Sequence, residues 1–253
     1  MTNFNNFSPN MLKTFDECQQ KFFFRYIQKL SVPQRSTIFE KGKKIHALAN
    51  YYLKGEDIEK MEKALNEDEK KVWETLKASE YFKLDVINTE YNLSCKVGKY
   101  WVGGRLDAFM EEGKKERRSE GEQNYESVLL PSCPPALSST SHLSPLTSHY
   151  YILDYKTGDI PKNAENDFQT IVYLLCADKF LKKKGGYNSL KFVYIGLKSG
   201  VEKEILLTES LEKQYEEKIV STCEKINFAV SSGVFSKNDN ACKFCEYSKI
   251  CAR

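Results

Sequence analysis

The sequence predicts a mixed α/β domain. Three observations point there: apolar residues at three- and four-residue spacing in the N-terminal part, short strand-like runs from Val86 onward, and helical segments that separate and follow those runs. With 253 residues, 41% hydrophobic and 29% charged, the chain is long enough for one well-formed core and has ordinary soluble-protein composition. A formal charge of +3 is too small to argue for a nucleic-acid partner by itself. The opening Met1-Thr2-Asn3-Phe4-Asn5-Asn6 has no basic region followed by an apolar run, so no signal peptide is read. No apolar stretch approaches the roughly 20 residues that span a bilayer. The expectation is a cytoplasmic protein with no membrane partner, where clustered cysteines bind metal more often than they form disulfides.

Ser8-Pro9 reads as an N-cap followed by proline at the first helical position. Met11, Leu12, Phe15, Cys18, Phe22 and Tyr26 then predict an amphipathic helix to about Ile27. A second helix is predicted from Phe39 through Leu53, carrying His46, and a Lys/Glu-rich helical stretch from about Asp57 to Ala78. Val86 to Cys95 and Tyr100 to Met110 read as a hairpin turning at Val97-Gly98-Lys99, with Asp107 near the end of its second strand. Tyr150-Tyr151-Ile152-Leu153 is a further strand, which delivers Asp154-Tyr155-Lys156 and stops at Thr157-Gly158. Asp167 to Lys184 reads as a helix with Phe168, Ile171, Val172 and Leu175 on its apolar side. Leu190 to Leu197 and Val201 to Leu207 read as strands joined at Lys198-Ser199-Gly200, and a last helix from about Ser210 to Val230 leads into a cysteine-rich tail.

One segment does not fit this pattern. Between Glu112 and His149 the composition turns charged and then Ser/Thr/Pro-rich, holding Pro131, Pro134, Pro135 and Pro145. The expectation is a single domain over 1–253, with 112–149 a disordered insertion in the hairpin that joins the Asp107 strand to the Asp154 strand. Its His142 and His149 are expected to be solvated loop residues rather than ligands.

Asp154 and Lys156 lie two residues apart on a strand and so share a face. Burying both is costly unless a divalent metal and a phosphate compensate; an isolated Asp-x-Lys is otherwise a surface ion pair. Asp107 ends Gly103-Gly104-Arg105-Leu106-Asp107, where glycine permits close backbone approach. Two carboxylates on adjacent strands form an oxygen site suited to Mg²⁺ or Mn²⁺. His46 either adds a nitrogen ligand, which favours Mn²⁺, or is a core or helix-surface histidine. Gln169 and Tyr173 share a helix face, and Tyr173 also reads as core packing. Cys242-x-x-Cys245-x5-Cys251 suggests zinc or redox chemistry, although no second Cys-x-x-Cys pair completes a common zinc ribbon. Cys95, Cys133, Cys176 and Cys223 are scattered and read as small apolar filler. Lys21 and Arg25, with Lys41, Lys43 and Lys44, either track a phosphate backbone, with Phe22, Phe23, Phe24 and Tyr26 as stacking groups, or form a solvated helix face.

Taken in order, His46, Gly104-Arg105-Leu106-Asp107, Asp154-Tyr155-Lys156 and Gln169-Thr170-Ile171-Val172-Tyr173 resemble the motifs of the PD-(D/E)xK nuclease superfamily. Within it the likeness is to the RecB-type branch with its Gln-x-x-x-Tyr motif; Gly-Arg-Leu precedes Asp107 in place of the signature proline. The resemblance implies a restriction-endonuclease-like core, a central mixed β-sheet flanked by helices, and metal-dependent hydrolysis of phosphodiester bonds in DNA. It implies Asp107, Asp154, His46 and the Tyr155 carbonyl as ligands of Mg²⁺ or Mn²⁺. Lys156 would orient or deprotonate the attacking water, and Gln169 and Tyr173 would position the substrate.

The layout of one N-terminal cysteine and a C-terminal triplet is similar to the iron-sulfur members of this superfamily, among them AddB-type helicase-nucleases and the CRISPR adaptation exonuclease. That likeness implies a [4Fe-4S] cluster on Cys18, Cys242, Cys245 and Cys251, clasping 240–253 onto the first helix, with zinc as the alternative. The expected function is an exonuclease on single-stranded DNA or DNA ends in repair, recombination or CRISPR adaptation, with a helicase or an adaptation integrase as partner. The contrasting class is a catalytically inactive nucleic-acid-binding iron-sulfur module within a larger repair complex.

Overall fold

A computed structural model describes residues 3–32, 37–112 and 148–251. The chain opens with a short strand, β1 (Asn6–Phe7), and then α1 (Pro9–Glu17), where the Ser8 hydroxyl accepts from the Met11 amide and Pro9 occupies the first turn. The single helix predicted to Ile27 is broken at Cys18, whose backbone is extended; α2 (Gln19–Phe22) and a π-helical turn (Phe23–Ile27) follow. Contacts from the far end of the chain hold the break: Asn238 Nδ2 donates to the Glu17 carbonyl, and the Gln20 amide donates to the Ser236 carbonyl. α3 (Thr37–Leu53) carries His46. The predicted Lys/Glu-rich helix is two helices, α4 (Glu59–Lys63) and α5 (Glu67–Ala78), because Asn66 caps α5 in a reciprocal pair with Glu69.

The mixed sheet is built from β1 with β2 (Asp85–Val97), β3 (Tyr100–Glu112), β4 (His149–Lys156), β5 (Ser189–Gly196) and β6 (Glu202–Leu206). β3 is the hub. β2 pairs antiparallel along its length, while its other side takes β1 in parallel at Trp101–Val102 and β4 antiparallel from Ala108 to Glu112. β4 pairs with β5 in parallel through α6 (Phe168–Lys183), and β6 closes the order antiparallel to β5. α7 (Glu209–Ser232) ends at Gly233, whose φ of 72° terminates the helix in a left-handed turn.

The sheet is buried on both faces at its centre, β4 and β5. On one side Leu12, Phe15, Ile171, Leu174 and Ile219 from α1, α6 and α7 pack with Ile152 and Phe192; on the other, Ile45, Leu48, Trp73 and Leu76 from α3 and α5 pack with Leu153 and Val193. Strict alternation fails at one place on β3: Leu106 packs on the α6 side, yet Ala108 packs on the α3 side. Across from that step Glu90 has φ 49°, an unusual conformation for a residue with a side chain. The hairpin therefore changes faces at Glu90 and Asp107.

β3 and β4 pair to their ends, with Glu112 and His149 as Cα partners. The anticipated insertion thus begins and ends in strand residues, and 113–147, with His142 and Cys133, lie outside the described residues. His149 is not a solvated loop residue: its Nδ1 lies 2.6 Å from Ser189 Oγ on the neighbouring strand. Among the described residues no helix is long and apolar enough to cross a membrane.

Candidate active site

α3 approaches the end of β4 closely at Gly42, where a Cβ would lie 3.1 Å from Thr157 Oγ1. That approach sets His46, one turn later, against the β3–β4 pair. His46 Nδ1 is 3.1 Å from Asp107 Oδ1, and its Nε2 is 3.0 Å from the Tyr155 carbonyl. Asp107 Oδ2 accepts from the Tyr155 amide at 2.9 Å. Both imidazole nitrogens therefore face acceptors, and a neutral ring has only one N–H to give. Either an imidazolium satisfies both oxygens or another cation takes its place. Burial alone would lower the His46 pKa, but hydrogen bonding and charge from Asp107, the charge of Asp154 and the Tyr155 carbonyl outweigh it and raise it.

Glu90 completes this group. Ligand atoms of His46, Glu90 and Asp107 all lie within 4.8 Å of one another, a donor set of one nitrogen and two carboxylates that fits a divalent ion. The sequence reading missed Glu90, although the signal was present. A tight turn at Gly98-Lys99 pairs Val97 with Tyr100, and counting back along both strands sets Glu90 across from Asp107, between the Thr89–Ala108 and Tyr91–Leu106 pairs. Arg105 Nε lies 2.8 Å from Glu90 Oε2.

Asp154, anticipated as a ligand, stands outside that trio and is held by its neighbours. Lys156 Nζ is 2.7 Å from Asp154 Oδ2, Gln169 Nε2 donates to Asp154 Oδ1 at 2.7 Å, and Lys156 Nζ donates to Gln169 Oε1 at 2.7 Å. Burial pushes the Asp154 carboxyl up to about 6; Lys156 opposes this and the Asp107 charge adds to it. Gln169 is thus engaged with the Asp154–Lys156 pair, and Asp167 fixes it by accepting from its backbone amide as the cap of α6. Tyr173 is buried, and its hydroxyl donates to the Arg105 carbonyl at 2.8 Å. Its ring fits because position 104 is glycine: a Cβ there would lie 3.0 Å from the Tyr173 hydroxyl.

A cleft of about 2120 Å³ opens over these groups. His46, Glu90, Asp107, Tyr155 and Lys156 form its floor, and Arg25, Lys29, Lys43, Arg105, Lys243 and Lys249 are basic groups on its walls. Lys43 and Arg25, anticipated as phosphate contacts, both line this cleft, Arg25 also pairing with Glu246. Lys44 is not among the lining residues; its ammonium lies 2.7 Å from Glu69 Oε2 and ties α3 to α5. Tyr173 and Gln169 do not line the cleft either.

Cys18, Cys242, Cys245 and Cys251 line one small cavity next to this wall. Among the described residues no three cysteine sulfurs lie within 4.8 Å of one another. Cys95, Cys176 and Cys223 are buried in the core, as expected of apolar filler.

A family model described as the PD-(D/E)XK nuclease superfamily matches residues 6–129 and 145–252. Among solved structures, the chain is similar to a proposed exonuclease from Eubacterium rectale, with a TM-score of 0.54 at 8% identity over 98% of this chain and 89% of that one. It is also similar to SSO0001, with a TM-score of 0.41 at 16% identity over 99% of this chain and 87% of that one. No curated protein matches. At 8% identity the likeness to the Eubacterium rectale protein speaks to the fold alone.

Proposed function

The chain belongs to the PD-(D/E)XK nuclease superfamily, and we propose that it is a Mg²⁺- or Mn²⁺-dependent deoxyribonuclease acting as an exonuclease on single strands or DNA ends. The observation that carries this reading is the meeting, on one cleft floor, of the His46–Glu90–Asp107 donor set with Lys156, which Asp154 and Gln169 hold from behind. His46, Asp107 and the Tyr155 carbonyl would hold the ion, with Glu90 and Asp154 beside them. A divalent ion there supplies a lowered pKa for water and polarisation of the scissile phosphate.

The chain's own residues do the rest. Lys156 presents an ammonium at the floor, pinned by Asp154 and Gln169, where it orients water and offsets charge gathering on the phosphate oxygens. Gln169 holds the acid and the base in register by bonding both. Basic groups on the cleft walls neutralise the phosphodiester backbone of the incoming strand. The anticipated work in repair, recombination or CRISPR adaptation, beside a helicase or an adaptation integrase, belongs to the same proposal.

End-labelled single-stranded DNA incubated with the native protein and Mn²⁺ or Mg²⁺ is expected to be degraded, and Lys156→Ala to lose on the order of 100-fold or more in rate. No cleavage by native protein, or cleavage unchanged in Lys156→Ala, overturns the enzymatic reading. The [4Fe-4S] cluster on Cys18, Cys242, Cys245 and Cys251 is supported by their common cavity. Anaerobically purified protein should contain iron and acid-labile sulfide; colourless protein holding zinc alone would replace the cluster.

A further inference from the structure

On β3, Leu106 and Val102 bury into the α6 side, so Trp101, Gly103, Arg105 and Asp107 present themselves to the opposite face, the one that meets His46. Arg105 and Asp107 line the candidate cleft, and Trp101 and Gly103 line a separate groove of about 560 Å³ farther along the same strand. Trp101 is 49% exposed, on a strand whose inward residues are buried. Directly across from it on β2 stands Lys96, exposed and without an ion-pair partner among the described residues. At about 3.3 Å per residue, Trp101 lies roughly 20 Å from Asp107 along β3. Between Trp101 and Arg105 the strand carries only Gly103, and the small Ser94 of β2 closes over it, with its Cβ 2.6 Å from where a Gly103 Cβ would stand.

We propose that this face is a single-strand track leading away from the reaction centre, with Trp101 as a stacking platform for a nucleobase and Lys96 and Arg105 as its phosphate contacts. The inference rests on the nuclease reading and adds the substrate form: unpaired bases, because only they offer an open π-face to an aromatic side chain. Two observations commit the groove to this occupant. Groove and cleft lie along one strand, β3, and the exposed indole stands between two cations suited to a polyanion, Lys96 across from it and Arg105 farther along.

The molecule carries its own probe, for the only other tryptophan, Trp73, is 1% exposed and hydrogen-bonded to Glu62. Oligodeoxythymidylate added to the anaerobically purified protein in EDTA, where no cleavage occurs, is expected to quench the native emission. Trp101→Phe, which keeps Trp73, should lose that quenching. Trp101→Ala should weaken single-strand affinity about tenfold, the effect of removing one base–aromatic stack. Cleavage of single strands by native protein, with no quenching and with undiminished affinity in Trp101→Ala, overturns the platform and leaves the nuclease standing. Native protein that neither binds nor cleaves single strands overturns both. Equal quenching by a blunt duplex overturns the assignment to unpaired bases.

Discussion

His46 faces an acceptor through each ring nitrogen, and that geometry links metal binding to protons. Its folded pKa is raised above 6.5, since Asp107, Asp154 and the Tyr155 carbonyl together outweigh burial. Proton-linked stabilisation from a raised group is fully present below the unfolded value and lost as pH rises through the folded one. A divalent ion takes over the same oxygens, so it competes with that proton. Asp154, raised to about 6 by burial, adds in the same direction, because it too sheds a proton when a cation arrives. Calorimetric titration with Mn²⁺ in buffers of different ionisation enthalpy should show proton release near neutral pH and an affinity that climbs with pH. Metal binding without proton release would break the link.

Glu90 offers a second test, since its φ of 49° stores strain of order 1–3 kcal/mol in a residue that supplies a ligand atom. Glu90→Gly should keep or raise the melting temperature while lowering cleavage roughly tenfold or more, by analogy with loss of a group that orients a metal site. A Gly variant as destabilised as Glu90→Ala would contradict the strain. Glu90 is legible from the hairpin register, whereas Asp107, expected near a strand end, lies in mid-strand across from it.

Elements that depend on local pattern were readable, and those fixed by distant contacts were not. Helical spacing continues through Cys18, Phe22 and Tyr26, so nothing local marks the break at Cys18. That break exists because the segment at Ser236–Asn238 supplies hydrogen bonds from more than two hundred residues away. Tyr173 shows the same limit: motif spacing located it, but only packing reveals that its hydroxyl donates to the Arg105 carbonyl. That bond ties α6 to β3, the strand that carries Asp107. Gly104→Ala would drive a methyl to 3.0 Å from that hydroxyl and 3.2 Å from the ring. Overpacking of this kind costs about 1–3 kcal/mol. The variant should unfold at lower urea and cleave more slowly, whereas Tyr173→Phe, losing one hydrogen bond of about 1 kcal/mol, should fall between it and the native protein. A Gly104→Ala protein as stable and active as native would show that β3 does not depend on this contact.

At the scale of the molecule, the two carboxylates that define the site stand on strands whose connection spans 113–147. Composition suggests a connection that loops out of a hairpin, and the strand residues on either side of it, Glu112 and His149, are Cα partners. Adjacent strands run about 4.8 Å apart, so a short turn can bridge these ends. Among the described residues both hydrophobic cores flank this strand pair, with Leu153 and Ala108 on one face and Ile152 and Phe109 on the other. We therefore expect that replacing 113–147 with a brief Gly-containing turn preserves metal-dependent cleavage. Closing a loop of some 35 residues costs more entropy than closing one of about three, a difference of roughly 2 kcal/mol by the logarithmic law for flexible loops. The shortened protein should then be at least as stable to urea as the native one, with the same denaturant dependence. A drop in stability would mean that the segment contributes contacts to the core, and loss of cleavage with stability intact would mean that it reaches the cleft.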